Sequence, residues 1–262
     1  MKKIIFCILF ITALICKSCK EVKNEQTTIK VVTHSEFKVS KANTQMVIDG
    51  KRDELDWNRT EAATFNNFYH YDAINKADDK QKTTFRMLWD DEFLYVFFES
   101  EDKYLTAREK VRDGAPYFDD CAEIFLSPAP EILSTHMGFE VNLYKTSNDF
   151  LFMTDFYNGQ PGVLKAFNPE FKVETTLNGT INDNSDIDKG WTMEMAIPLK
   201  LFFKIDTYAP VKAGAKWTFL AVRQERNEVE GNRRITSSIF PIDEEKIDVH
   251  EPSKFGFLHF IE

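Results

Sequence analysis

Short apolar runs broken by polar turns dominate the chain, and their period is two residues rather than 3.6. Residues 83–89 (TTFRMLW) and 93–99 (FLYVFFE) are rich in aromatic and branched side chains and flank Asp90-Asp91-Glu92. That arrangement predicts a hairpin. Both faces of its strands are apolar, which places the pair centrally, covered on each side. In residues 138–144, Phe139, Val141 and Leu143 alternate with Glu140, Asn142 and Tyr144. Trp191, Met193, Met195 and Ile197 alternate with Thr192, Glu194 and Ala196 in the same way. Residues 217–224 and 255–261 supply further strands, and helical spacing is confined to short pieces at 106–111 and 199–203. The pattern predicts an all-β fold: an antiparallel β-sandwich, jelly-roll-like, with a few short helices.

The first residues break this pattern. Lys2 and Lys3 precede an apolar run from 4 to 16, followed by Lys17-Ser18-Cys19. A basic start, a short apolar stretch and a small residue before a cysteine describe a secretory signal. A membrane-spanning helix needs roughly 20 apolar residues, more than this run contains. It resembles a bacterial lipoprotein signal, with residues 1–18 removed and Cys19 as the lipid-modified first residue. Cys16 is the rival position, with bulky Ile15 before the cut. Residues 19–38 are polar and mixed and read as a tether, which leaves 39–262 as one domain without repeats or low-complexity breaks.

Cleavage before Cys19 takes Lys2, Lys3 and Lys17 with it and moves the formal charge from −9 to −12. An acidic chain has no electrostatic footprint for nucleic acid. Of four cysteines, Cys7 and Cys16 leave with the signal and Cys19 is acylated, so Cys121 has no partner and reads as a small core residue. Phe alone contributes 24 residues and hydrophobic residues 43%, enough for a sizeable core.

Six motifs then occur in order: residues 48–54 (IDGKRDE) with Trp57, 86–96 (RMLWDDEFLYV), 119–126 (DDCAEIFL), 139–142 (FEVN), 190–198 (GWTMEMAIP) and 252–256 (PSKFG). Together they cover nearly all of residues 46–262, and the series resembles family 9 carbohydrate-binding modules. The resemblance implies a sugar-gripping β-sandwich of the kind often found beside glycan-degrading enzymes. The variety it looks most like is the single-domain lipoprotein of Bacteroidetes-type glycan-utilisation systems. That reading places the chain in the cell envelope, anchored to the outer membrane by lipid alone, with glycan-degrading enzymes or an outer-membrane transporter as further partners.

A sugar ring has apolar C–H faces and a fringe of hydroxyls. It needs a flat aromatic surface and planar polar groups around the edge. The resemblance puts the stacking aromatic at Tyr117 and the binding carboxylate at Glu123. Where the family carries an arginine this chain has Glu140, which shares a polar face with Asn142. Two carboxylates then converge, and like charges raise one pKa unless a cation or donor intervenes. Two resolutions are open. Ca²⁺, which takes 6–8 oxygen ligands, could be held by Asp119, Asp120, Glu123 and Glu140; or Arg223 could cross the sheet into the missing role. The family's second stacking tryptophan corresponds to Val249, with His250 beside it. Trp57, Trp89, Trp191 and Trp217 read as core.

Three rival readings remain at this level. A glycoside hydrolase could use Glu123 with Glu140 or Asp119, given carboxyls about 5–5.5 or 6.5–9.5 Å apart. A haem module would need an axial pair among Met87, Met137 and His136. A docking subunit of a surface complex would need no sugar site at all.

Overall fold

The computed structural model describes residues 34–70, 80–128, 135–202, 210–230 and 234–262, without the side chains of 155–157. The expected signal peptide, Cys19 and most of the tether lie outside these residues. Fourteen strands are described: β1 (Glu36–Lys41), β2 (Ala63–Thr64), β3 (Asn67–His70), β4 (Thr83–Trp89), β5 (Phe93–Ser100), β6 (Cys121–Ser127) and β7 (Thr135–Asn142), then β8 (Ser147–Tyr157), β9 (Gln160–Leu164), β10 (Lys172–Asn178), β11 (Gly190–Pro198), β12 (Lys216–Glu225), β13 (Ile235–Ser238) and β14 (Gly256–Ile261). β1 starts at Glu36, so the folded domain begins slightly before residue 39.

The hydrogen-bonded order is β10-β11-β5-β4-β1-β14-β12-β6-β7-β8-β9, with β13 on β12, β3 on β13 and β2 on β4. Pairing is antiparallel except at β1, which runs parallel to both β14 and β4. β1 and β14 separate β4 from β12 along the path, yet the Phe85 ring of β4 stacks on Phe219 of β12 at 5.9 Å. Three strand spacings would hold them about 14 Å apart in a flat sheet. The sheet therefore curls over, and its two halves face each other as a sandwich. Phe85 sits at the centre of this core, edge-on to Phe98 at 5.1 Å and to Phe37 at 5.9 Å.

The expected β4–β5 hairpin is present, with Asp90 Oδ1 capping the turn by accepting from the N–H groups of Glu92 and Phe93. All four tryptophans are buried, as expected; Trp57 sits in a 3₁₀ turn (Leu55–Arg59) rather than in a strand. The helical piece expected at 106–111 is not formed. Its N–H groups are taken by side chains instead: Thr106 by Asp120 at 2.6 Å, Ala107 by Asn182 at 3.1 Å and Glu109 by Asp119 at 2.8 Å. These side-chain acceptors, brought in by the tertiary fold, compete with the helical ladder and win. At 199–203 only one 3₁₀ turn, Leu199–Leu201, is described, and Phe203 lies outside the described residues.

One polar group inside the sandwich ties its halves together. Arg223 of β12 is fully buried and donates to Asp102 at 2.9 Å and to Thr83 of β4 at 3.1 Å, with Glu225 at 3.7 Å. Trp191 donates to the same Asp102 oxygen at 3.1 Å. Arg223→Met leaves Asp102 as an uncompensated buried charge and is expected to destabilise the fold by about 3–5 kcal/mol. Urea titration checks this; a loss below 1 kcal/mol would contradict a structural role.

Candidate functional site

Strand register builds the site. On the face of the second half-sheet away from Arg223, Val222 of β12 lies opposite Glu123 of β6. Glu123 lies opposite Glu140 of β7, and Glu140 opposite Asn148 of β8. Directly opposed residues share a face, so two carboxyls and an amide form one row. The next row runs Leu220, Phe125, Gly138, Phe150, and the one beyond pairs His136 with Phe152. A Cβ at Gly138 would come within 2.4 Å of the Phe150 ring. The bare backbone there lets that ring lie across the sheet beside the acids.

Above these rows is a groove of about 320 Å³ lined by Tyr117, Phe118, Phe152 and His250 around the Glu123–Glu140 row. Gln224 Nε2 donates to Glu123 at 3.2 Å, and its own oxygen accepts from Thr236 Oγ1 at 2.6 Å, which fixes the amide's orientation. Asn148 Nδ2 donates to Glu140 at 2.6 Å. Glu123 Oε1 and Asn148 Oδ1 are buried and accept nothing. A buried acceptor left empty in the free protein costs on the order of 1–3 kcal/mol.

Burial, and then the charge of Glu140, push the Glu123 carboxyl well above the usual carboxylate range. Burial also pushes Glu140 up to about 7, against the pull of Asn148, Lys165 and Arg234. Lys165 and Arg234 both line the groove. Carboxyls whose protonated form is favoured in this way can both give and take hydrogen bonds.

Tyr117 and Phe118 come from a 3₁₀ turn opened by Pro116, whose fixed φ suits a first helical position. Arg234 donates to the Tyr117 carbonyl at 3.2 Å, and its guanidinium lies 5.1 Å from the Phe118 ring centroid. His250 stacks on Phe152 at 4.5 Å with 10° between the rings and shares a 3.1 Å hydrogen bond with His136. Burial lowers the His250 pKa to about 4, and burial together with His250 holds that of His136 well below the ordinary imidazole value. Both rings are neutral at pH 7, one donating to the other.

Tyr117, Glu123, Glu140 and His250 thus meet around one groove, and Val249 lines it without a flat face to offer. Three sequence expectations are corrected. Arg223 does not cross to the acids; it is spent on Asp102 inside the sandwich. Asn142 is turned to Asp119, at 2.9 Å, and to the Glu109 carbonyl. The calcium set does not assemble: Asp119 accepts from Glu109 N and Asn142, and Asp120 from the N–H groups of Thr106 and Arg226. No group of three or more His, Cys, Asp or Glu among the described residues could hold a metal ion. Sequence reasoning missed Gln224, Asn148, Phe152, Lys165 and Arg234. Gln224 and Asn148 follow from alternation once register is known; Lys165 and Arg234 carry no local signal.

Fold and groove together define a β-sandwich binding module, with a groove built on one sheet face and walled by aromatic rings. The chain belongs to the "Carbohydrate family 9 binding domain-like" family, whose profile matches residues 48–262. It is similar to a family 9 carbohydrate-binding module from Caldicellulosiruptor kristjanssonii solved with cellotriose, at 20% identity and TM-score 0.58 over 87% of this chain and 94% of that one. A structure with the same description, solved with glucose, gives 20% identity and TM-score 0.56 over 85% of this chain and 95% of that one. In sequence it is similar to Exoglucanase XynX of Acetivibrio thermocellus, at 29% identity over 152 residues. That stretch is 58% of this chain but spans only 11% of the exoglucanase.

The carboxyl pair has a thermodynamic signature. A carboxyl raised on folding contributes stability that is fully present below the unfolded value of 4.5 and is lost as pH rises through about 7. Glu140→Gln is expected to flatten this fall, gaining on the order of 1–3 kcal/mol over the parent at pH 8 and little at pH 4. Chemical denaturation across that range decides it; parallel curves would mean that burial does not raise Glu140.

Proposed function

We propose that this chain binds carbohydrate in the groove over Glu123 and Glu140 and does no chemistry on it. The observation that carries this reading is the row Glu123–Glu140–Asn148 with two empty buried acceptors, flanked by Tyr117 from one loop and by Phe152 of β8 stacked with His250 from another. A sugar hydroxyl donates to an empty acceptor and in turn accepts from Arg234 or Lys165. The ring's C–H face lies on an aromatic. Solved relatives of the same fold held glucose and cellotriose. Glu123 and Glu140 are cross-strand neighbours on one wall of the groove. Glycosidic cleavage needs carboxyls flanking the scissile bond, so the pair reads as a binding floor.

The start of the chain supports a place for this activity. Lys2, Lys3, the apolar run and Ser18-Cys19 fit a lipid anchor that holds the module at the outer membrane. From there it would hand glycan to a degrading enzyme or a transporter.

Affinity electrophoresis on a polysaccharide panel tests the groove. Retention on at least one glucan is expected, with Tyr117→Ala weakening it about tenfold, or about 1.4 kcal/mol. A chelator should change nothing, and no reducing sugar should be released; unaltered retention of the variant rejects Tyr117 as the platform. For the anchor, Cys19→Ala is expected to move the protein from the detergent phase to the soluble fraction and remove labelled fatty acid. A Cys19→Ala protein that still carries lipid sinks that assignment.

A further inference from the structure

A second groove, of about 440 Å³, lies on the other half-sheet. Its floor is a cross-strand row of side chains that point away from the core: Thr84 of β4, Glu99 of β5, Thr192 of β11 and Thr176 of β10. Their immediate neighbours Phe85, Phe98 and Met193 fill the sandwich. Four strands at about 4.8 Å spacing make the row about 14 Å long, the reach of an oligosaccharide rather than of one ring.

The charge here opposes that of the rest of the molecule. Lys82, Arg86 and Lys189 line the groove against Glu99 and Glu101, in a chain whose formal charge is −9. Glu99 is shared: Arg86 and Arg52 each stand 3.9 Å from the same oxygen, too far for a hydrogen bond. Nε and Nη1 of Arg86 are buried and donate to nothing. Glu194, in the same cross-strand row as Arg86, is turned to the N–H groups of Asp49 and Gly50, at 3.0 Å each. The guanidinium is thus partly desolvated and incompletely matched, in a groove also lined by Thr84, Thr176 and Thr192.

From this we infer that the β4-β5-β11-β10 face is a second ligand site, for a carboxylate-bearing glycan of uronic-acid type. A ligand carboxylate pairs with the cations of the groove, and Thr84, Thr176 and Asn178 meet the ring hydroxyls. The site is separate from the groove over Glu123 and does not depend on it.

Titration of the full domain with a galacturonate trisaccharide, followed by calorimetry and amide NMR, tests the inference, with cellotriose as neutral control. Expected are shifts at Thr84, Thr176 and Thr192 and an affinity that falls with added salt. The double substitution Lys82→Ala, Lys189→Ala should weaken binding about tenfold. Both lysines are exposed, so the fold is not at stake; Arg86→Gln should act in the same direction. Tyr117→Ala should bind the uronate like the parent, while its cellotriose affinity reports on the other groove. No binding at low salt, equal binding by the lysine variant, or loss in Tyr117→Ala would each overturn the second site.

Discussion

Two carboxyl groups placed directly opposite each other on neighbouring strands, and both removed from water, cannot both ionise cheaply. Unit charges about 4 Å apart repel by roughly 4 kcal/mol even at an effective dielectric of 20. The surroundings of Glu123 and Glu140 are organised around that constraint. Gln224 and Asn148 each donate to one acid, Arg234 and Lys165 stand at the rim, and burial favours the protonated form of both acids. The same constraint holds the β6–β7 register. A slip by one residue would turn a carboxyl into the sandwich among Ile124 and Phe139, where nothing could match it.

Related modules are expected to place an arginine where this chain has Glu140, and the exchange changes where positive charge enters. The floor of the groove is acidic, and cations come in from the edges, Arg234 just before β13 and Lys165 just after β9. A ligand hydroxyl over the floor therefore meets carboxyl groups that can accept and, when protonated, donate. The second aromatic is displaced in a similar way. Val249 cannot stack, and the flat surface is instead the His250–Phe152 pair, held from behind by His136. Burial keeps both imidazoles neutral, so this wall stays apolar at working pH.

Short apolar, aromatic-rich runs and, for β11, alternation made the strands legible: β4, β5, β11, β12 and β14 stand where those patterns put them. They could not make the buried charges legible. Asp102, Asp120 and Arg223 look like ordinary surface residues in the sequence, because the partners that permit their burial lie up to 140 positions away. The same blindness produced the helical expectation at 106–111, where side-chain acceptors from 119, 120 and 182 displace the ladder. Within the site, Tyr117, Glu123 and Glu140 were legible through the family's motif order. Arg234 was not, since only tertiary folding brings its flank of β13 beside the Tyr117 turn.

β12 joins these observations. Its alternating side chains serve two environments: Arg223 anchors in the sandwich, while Gln224 faces the groove. A side-chain amide can present a donor to Glu123 only if its strand does not shift, and Gln224 is locked further by Thr236. The buried ion group on the opposite face supplies that stiffness, because any translation of β12 would part Arg223 from Asp102 in a medium that cannot screen the separated charges. The polar interior and the binding floor are thus two sides of one strand.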